Sequence, residues 1–162
     1  MEIIKMDLSA RKQLIYIGNA GLRGGTLHSR LSDHLKRKGW QTAFRRKVFE
    51  YVMGIAEDSR DNIRYKNQLK QSNLQITEAV KNYFIFKYLA TMNFADFEIL
   101  LIQKHGQQLW NKQKYIGKAI HNDFTQLEKK LLQCPETPFS MFEELGKKIP
   151  KEPGVYLIFK MN

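Results

Sequence analysis

A short apolar run that stops at a glycine and reopens as a helix constrains this chain more than any other stretch. It is Leu14 to Leu35, LIYIGNAGLRGGTLHSRLSDHL. Leu14-Ile15-Tyr16-Ile17 reads as a strand and ends at Gly18. A loop holding Gly21, Gly24 and Gly25 follows, and a helical pattern begins at Thr26, a good N-cap residue. Leu27, Leu31 and Leu35 recur every four residues and form the stripe that such a helix buries. Arg30 and His34, also four apart, project together from a neighbouring face. Arg23, Lys36, Arg37 and Lys38 add positive charge around them. A strand delivering a tyrosine, a glycine-rich turn and a helix presenting Arg and His together suggest a phosphate site.

The charge of the whole chain agrees with that reading. Lys and Arg number 27 against 16 Asp and Glu, a net charge of +11 with a pI near 9.7. Such an excess favours a polyanionic partner, nucleic acid first and an anionic membrane surface second. With 162 residues, 43% of them hydrophobic, the chain has the size and composition of one globular domain. No apolar run approaches the roughly 18 to 20 residues of a membrane span, and Met1 to Lys5 has no secretory apolar core. Cys134 is the only cysteine, which excludes an intramolecular disulfide and a cysteine-based zinc cluster and fits a reducing cytoplasm. A cytoplasmic protein is the expectation.

Along the chain, Met1 to Asp7 is undecided between a short strand and a loosely held end. The first helix is expected from Thr26 to Lys38, with Gly39 just past its end. Thr42 to about Glu57 reads as a second helix, with Phe44, Val48, Val52 and Ile55 on one side and Arg45, Arg46 and Lys47 on the other. Asp58 to Asn73 is polar, expected as a loop and a helix start, and residues 74–81 are ambiguous between helix and strand. Asn82 to Leu89, aromatic and β-branched, reads as a buried strand. Asn93 is placed to cap a helix from Phe94 to about His105, and Trp110-Asn111 follows in an irregular segment. Asp123–Gln133 and Phe139–Lys148 read as two amphipathic helices separated by Pro135 and Pro138. Pro150 and Pro153 precede a final strand, Gly154 to Phe159.

Tyr16-Ile17-Gly18, followed by Arg30 and His34, resembles the second half of the motif that names the GIY-YIG nucleases. Gly154-Val155-Tyr156, preceded by Ile149-Pro150-Lys151-Glu152-Pro153, resembles the first half. That run is especially similar to the start of the nuclease domain in the bacterial excision-repair incision subunit. In the family the GIY strand precedes the YIG strand and the two form a hairpin. Here the order is reversed, as a circular permutation would make it, at a surface turn where chains tolerate cutting and rejoining. Two alternatives stand beside it: exchange of the last strand between two chains, and use of Glu2 to Met6 as the first strand. Glu98-Ile99-Leu100-Leu101-Ile102, then Trp110-Asn111, resembles the family's helix with a metal-binding glutamate and the asparagine after it. Asn19 stands where many members carry a lysine. A second tripeptide, Tyr115-Ile116-Gly117, precedes no Arg/His helix and reads as a loop coincidence.

The resemblance implies an α+β fold: a small three-stranded, mainly antiparallel sheet flanked by helices, in one domain with an insertion at about 40–81 and helices at about 123–148 before the last strand. It implies a metal-dependent DNA endonuclease, restriction-like or repair-like, with RNA left open as a substrate. Glu98 would hold one Mg²⁺ or Mn²⁺, and Arg30 would bind a phosphate oxygen. Tyr16 or Tyr156 would take the proton of the attacking water, with His34 holding or relaying it. Arg23, Arg37, Lys38, Arg45, Arg46, Lys47, Asn111, Lys112 and Lys114 are the candidate nucleic-acid contacts, and cutting both strands with one site per chain would favour a homodimer. The competing expectation is a basic nucleic-acid-binding protein that keeps the fold without cutting. Each of these residues also has a plain structural use: core tyrosines, a solvated Arg/His face, and a dipole-compensating Glu98.

Overall fold

The computed structural model describes residues 12–36, 42–111 and 122–161. Strand β1 (Lys12–Ala20) leads to helix α1 (Leu27–Lys36), α2 (Ala43–Met53), α3 (Ile63–Gln71) and α4 (Asn73–Tyr83). Strand β2 (Phe84–Ala90), helix α5 (Phe94–His105) and helix α6 (Thr125–Gln133) follow. A two-residue strand β3 (Thr137–Pro138), a single-turn helix α7 (Phe142–Leu145) and strand β4 (Gly154–Met161) complete the order. The strands form one sheet in the order β1-β4-β2-β3, and every pairing is antiparallel. This is the expected α+β class, its three long strands joined by the short edge strand β3.

The strand that comes last in the chain lies in the middle of the sheet. β4 pairs with β1 on one side, Gly18 opposite Tyr156, and with β2 on the other, Tyr88 opposite Tyr156. Both pairings are made within one chain. Its alternation is strict: Val155, Leu157 and Phe159 enter one core, and Tyr156 and Ile158 the other. Helices α1, α2, α3 and α4 cover the Tyr156 face, while α5 and α6 cover the Val155 face. The segment before β4 is pinned from the side. Leu27 N–H donates to the Glu152 carbonyl at 2.8 Å and His28 N–H to the Pro150 carbonyl at 3.2 Å. These are first-turn amides of α1 that have no partner inside the helix.

A bulge sets the facing of β1. Leu14 pairs with Phe159 and Tyr16 with Ile158, so Ile15 is an extra residue. Ile15 and Tyr16 therefore both enter the same core, and from Tyr16 onward the even-numbered residues share the face of Tyr156. The outer edge of β1 is covered by Trp110 and Asn111. Trp110 N–H donates to the Ile15 carbonyl at 2.6 Å. Ile17 N–H donates to Asn111 Oδ1 at 3.1 Å, and Asn111 Nδ2 donates to the Ile17 carbonyl at 2.8 Å. A carboxamide carries the donor and acceptor of a peptide group, so Asn111 extends the ladder by one unit.

The ambiguous stretch 74–81 is helical, inside α4, because its apolar residues Ile76, Ala79 and Val80 fit one helix face against the core. The expected helix at Phe139–Lys148 is broken into short 3-10 turns around α7. The second helix ends at Met53, where Gly54 takes a left-handed conformation (φ 63°), and Val52 is 44% exposed. The helix ends after Lys36, the Glu2 to Met6 alternative and the Tyr115-Ile116-Gly117 segment lie outside the described residues.

Candidate active site

Five of the expected residues converge. Tyr16 and Tyr156 are diagonal neighbours on β1 and β4, their rings stacked at 6.4 Å between centroids. His34, from the buried stripe side of α1, stands edge-on to both rings, at 5.6 Å from Tyr16 and 5.4 Å from Tyr156. Its Nε2 lies 2.5 Å from the Tyr156 hydroxyl oxygen. Arg30, one turn earlier on α1, hydrogen-bonds the same hydroxyl. Glu98 reaches the site from the first turns of α5 and is 8% exposed. Tyr16, Arg30, Glu98 and Tyr156 line one cleft of about 940 Å³.

Gly18 is what lets Tyr156 lie there. The two residues are directly opposite in the sheet, and a Cβ on Gly18 would stand 2.2 Å from the Tyr156 hydroxyl oxygen. Gly154 answers to a second close approach, because its Cβ would meet the Leu89 carbonyl oxygen at 2.3 Å and Leu27 at 2.7 Å. Both glycines of the two tripeptides are thus fixed by space, not by turn conformation.

Burial sets the protonation of the cluster. It pushes Tyr16 up to about 12, against the lowering pull of Arg30. It raises Tyr156 well above the usual phenol range, with Tyr16 adding to the rise and Arg30 opposing it. It also drives His34 well below the usual imidazole range, helped by the charges of Arg30 and Arg45. Near neutral pH both phenols keep their protons and the imidazole is uncharged. Arg30 is held more firmly charged, since its two tyrosine neighbours outweigh its partial burial.

The depressed His34 has a consequence for stability. Below the ordinary imidazole pKa the unfolded chain takes up a proton that the folded chain refuses, so stability falls as pH falls. One such group contributes a slope of up to about 1.4 kcal/mol per pH unit. Thermal melts are expected to show a falling midpoint from about pH 7 to about pH 5, and His34→Gln to flatten that part of the profile. An unchanged slope in the variant would assign the acid sensitivity to another group.

The expected nucleic-acid contacts divide. Arg23, at the exposed tip of the glycine loop with φ 58°, lines the cleft, as do Arg46 and Lys47 from α2. Lys47 is shared with Glu57 at 2.8 Å and Glu50 at 3.8 Å. Asn111 also lines the cleft, with its amide engaged by the edge of β1. Arg45 corrects the sequence reading outright. It is fully buried, Nη1 donating to the carbonyls of His34 (3.2 Å) and Leu35, and Nη2 to Asn73 and Thr77. It therefore binds protein backbone and cannot face a nucleic acid. Arg37, Lys38, Lys112 and Lys114 lie outside the described residues.

Arg60 escapes the sequence reading, and so does the partner of Asn19. Arg60 lines the cleft and donates to Glu50 at 2.5 Å and Glu57 at 3.2 Å. Nothing in the local sequence marks it, because its pairing with Glu50 of α2 brings it there. Asn19 donates through Nδ2 to Oε2 of Glu98, a contact between residues 79 positions apart.

Comparison with known proteins agrees with this geometry. Residues 2–130 match the family described as the GIY-YIG catalytic domain. The matched span ends before β4. Neither curated proteins nor solved structures gave a match to the chain.

Proposed function

The chain belongs to the GIY-YIG catalytic-domain family, and on that premise we propose that it is a metal-dependent endonuclease acting on DNA. The observation that carries the proposal is the Tyr156 hydroxyl, reached by both His34 and Arg30 in the cleft that Glu98 lines. Phosphodiester hydrolysis needs a deprotonated water, neutralised phosphoryl oxygens and a stabilised leaving oxygen. Each need has a candidate group.

Tyr156 is favoured over Tyr16 as the group that takes the proton, because it is bonded to His34 and Arg30. A free tyrosinate would be expensive in this buried position. A concerted transfer limits that cost: one O–H bond of water breaks as its proton passes to the Tyr156 oxygen, and the Tyr156 proton moves toward Nε2 of His34. It returns through Tyr156 to the departing oxygen, because burial and the charges of Arg30 and Arg45 disfavour a lasting imidazolium. The hydroxide adds to phosphorus as the P–O bond to the leaving oxygen breaks. Arg30 donates to a non-bridging phosphoryl oxygen, and its rigid charge suits that role. Tyr16, stacked against Tyr156, walls the relay off from solvent.

Asp33 and Glu98 both line the cleft, and Glu98 is the carboxylate whose charge reaches the tyrosine pair. No cluster of three His, Cys, Asp or Glu is found among the described residues. That donor set fits a hard, largely hydrated cation such as Mg²⁺ or Mn²⁺, which binds through one or two carboxylates plus water and phosphate oxygens. When bound, the ion supplies charge neutralisation at the phosphoryl and leaving oxygens.

Arg23, Arg46 and Lys47 are proposed to contact flanking phosphates, each adding about −0.9 to the salt slope of duplex binding. Arg37, Lys38, Lys112 and Lys114 are proposed for the same role from their charge. The permuted strand order belongs to the proposal too. It is supported by the in-chain pairing of β1 with β4 and by the meeting of Tyr16 with Tyr156.

Incubation of plasmid DNA with the protein and Mg²⁺ or Mn²⁺ is expected to give nicked circles. No cleavage across supercoiled, linear and branched DNA would overturn the enzyme reading in favour of a basic binding protein. Gly18→Ala tests the geometry directly. Its Cβ must push the Tyr156 ring aside, and a displacement of about 1 Å at a reacting group costs on the order of 10²-fold in rate. Nicking should fall by that order while DNA affinity, measured by gel shift without metal, is retained.

A further inference from the structure

The contact between Asn19 and Glu98 points past the placement of the metal ligand to what holds it. Asn19 follows Gly18 on β1 and alternates to the opposite face of the sheet, the face that α5 covers. There its amide nitrogen donates to one carboxylate oxygen of Glu98, and both side chains line the cleft. A carboxylate at 8% exposure has lost most of its water and needs donors. An amide supplies a donor without supplying a charge. A lysine at the same place would supply both and would pair with the carboxylate as an ion.

We propose that Asn19 is a positioning residue for Glu98: its amide fixes the orientation of the carboxylate that a hard divalent cation would bind. The inference rests on the reading of Glu98 as the metal ligand. Partners that orient a metal ligand matter to affinity nearly as much as the ligand does.

The test measures metal binding to the full chain without nucleic acid. Terbium, a hard cation whose luminescence is sensitised by a nearby indole, is the probe, and Mn²⁺ is the competitor. Trp110 lines the same cleft, and Trp110→Phe identifies the part of the signal that arises there. Asn19→Ala is expected to weaken terbium and Mn²⁺ binding by about 10- to 100-fold, with the metal-free melting temperature unchanged. Asn19→Lys keeps a donor and adds a charge, and should weaken binding at least as much. Wild-type affinity in Asn19→Ala would overturn the inference, as would a loss matched by a lower metal-free melting temperature, the mark of a merely structural contact. Glu98→Gln separates the two levels. If it abolishes binding while Asn19→Ala binds normally, only the role of Asn19 falls. If it binds as wild type does, the metal reading falls and the inference with it.

Discussion

Replacing Glu98 by Gln is expected to lower metal-dependent nicking by about 10²- to 10³-fold, the usual cost of removing one preorganised electrostatic group from a transition state. Glutamine keeps the size and an acceptor oxygen but carries no charge. Glu98 therefore loses what a hard cation needs, while its place between α5 and β1 is filled. Duplex affinity measured without metal should stay near the wild-type value or rise slightly, because a negative charge leaves a cleft that binds phosphates. Glu98→Ala should show the same separation of cutting from binding. Full nicking in either variant would remove Glu98 from the mechanism and leave Arg30 and the tyrosine pair to account for it.

Replacing Arg45 by Met should destabilise the fold without removing any nucleic-acid contact. The guanidinium is fully buried and spans two helices, from the last carbonyls of α1 to the start of α4. At the C-terminus of α1 its charge meets the negative end of the helix dipole, and burial still lowers its pKa to about 10. Methionine fills much of the volume but removes the donors to the His34 carbonyl and to the side-chain oxygens of Asn73 and Thr77. The expected loss is about 3–5 kcal/mol, the range for breaking a buried charged network. Urea titration should show a lower midpoint with the slope unchanged. Arg45→Lys should recover only part of it, since one ammonium cannot reach both helices at once. Wild-type stability combined with weaker, less salt-dependent DNA binding would return Arg45 to the surface role that its neighbours Arg46 and Lys47 suggested.

Arg45 also marks where sequence reasoning stops. In α2 three basic residues run together, and a charge run reads as a solvated face because isolated charges avoid the core. The first of the three is buried because α1 brings the carbonyls of His34 and Leu35 to it and α4 brings Asn73 and Thr77, and nothing near Arg45 in the sequence marks those acceptors. The converse case is Val52, read as core from its spacing and found exposed, because the helix ends at Gly54 before that turn meets a partner. Asn111 was legible as a polar residue following α5, but its use as a surrogate peptide on the edge of β1 depends on Trp110 docking there first.

The sequence by itself determined the local pieces: an apolar strand ending at Gly18, a leucine-striped helix carrying Arg30 and His34, a helix with Glu98 near its start, and a final strand with Tyr156. These follow from periodicity, capping and β-propensity, which act over a few residues. Tertiary structure alone decided that the final strand is central, that the bulge at Ile15 turns Tyr16 toward Tyr156, and that Asn19 meets Glu98. The reason is physical. A strand's partner, a bulge's effect and a buried donor's acceptor are properties of pairs far apart in the chain, and no local preference encodes which pair will meet.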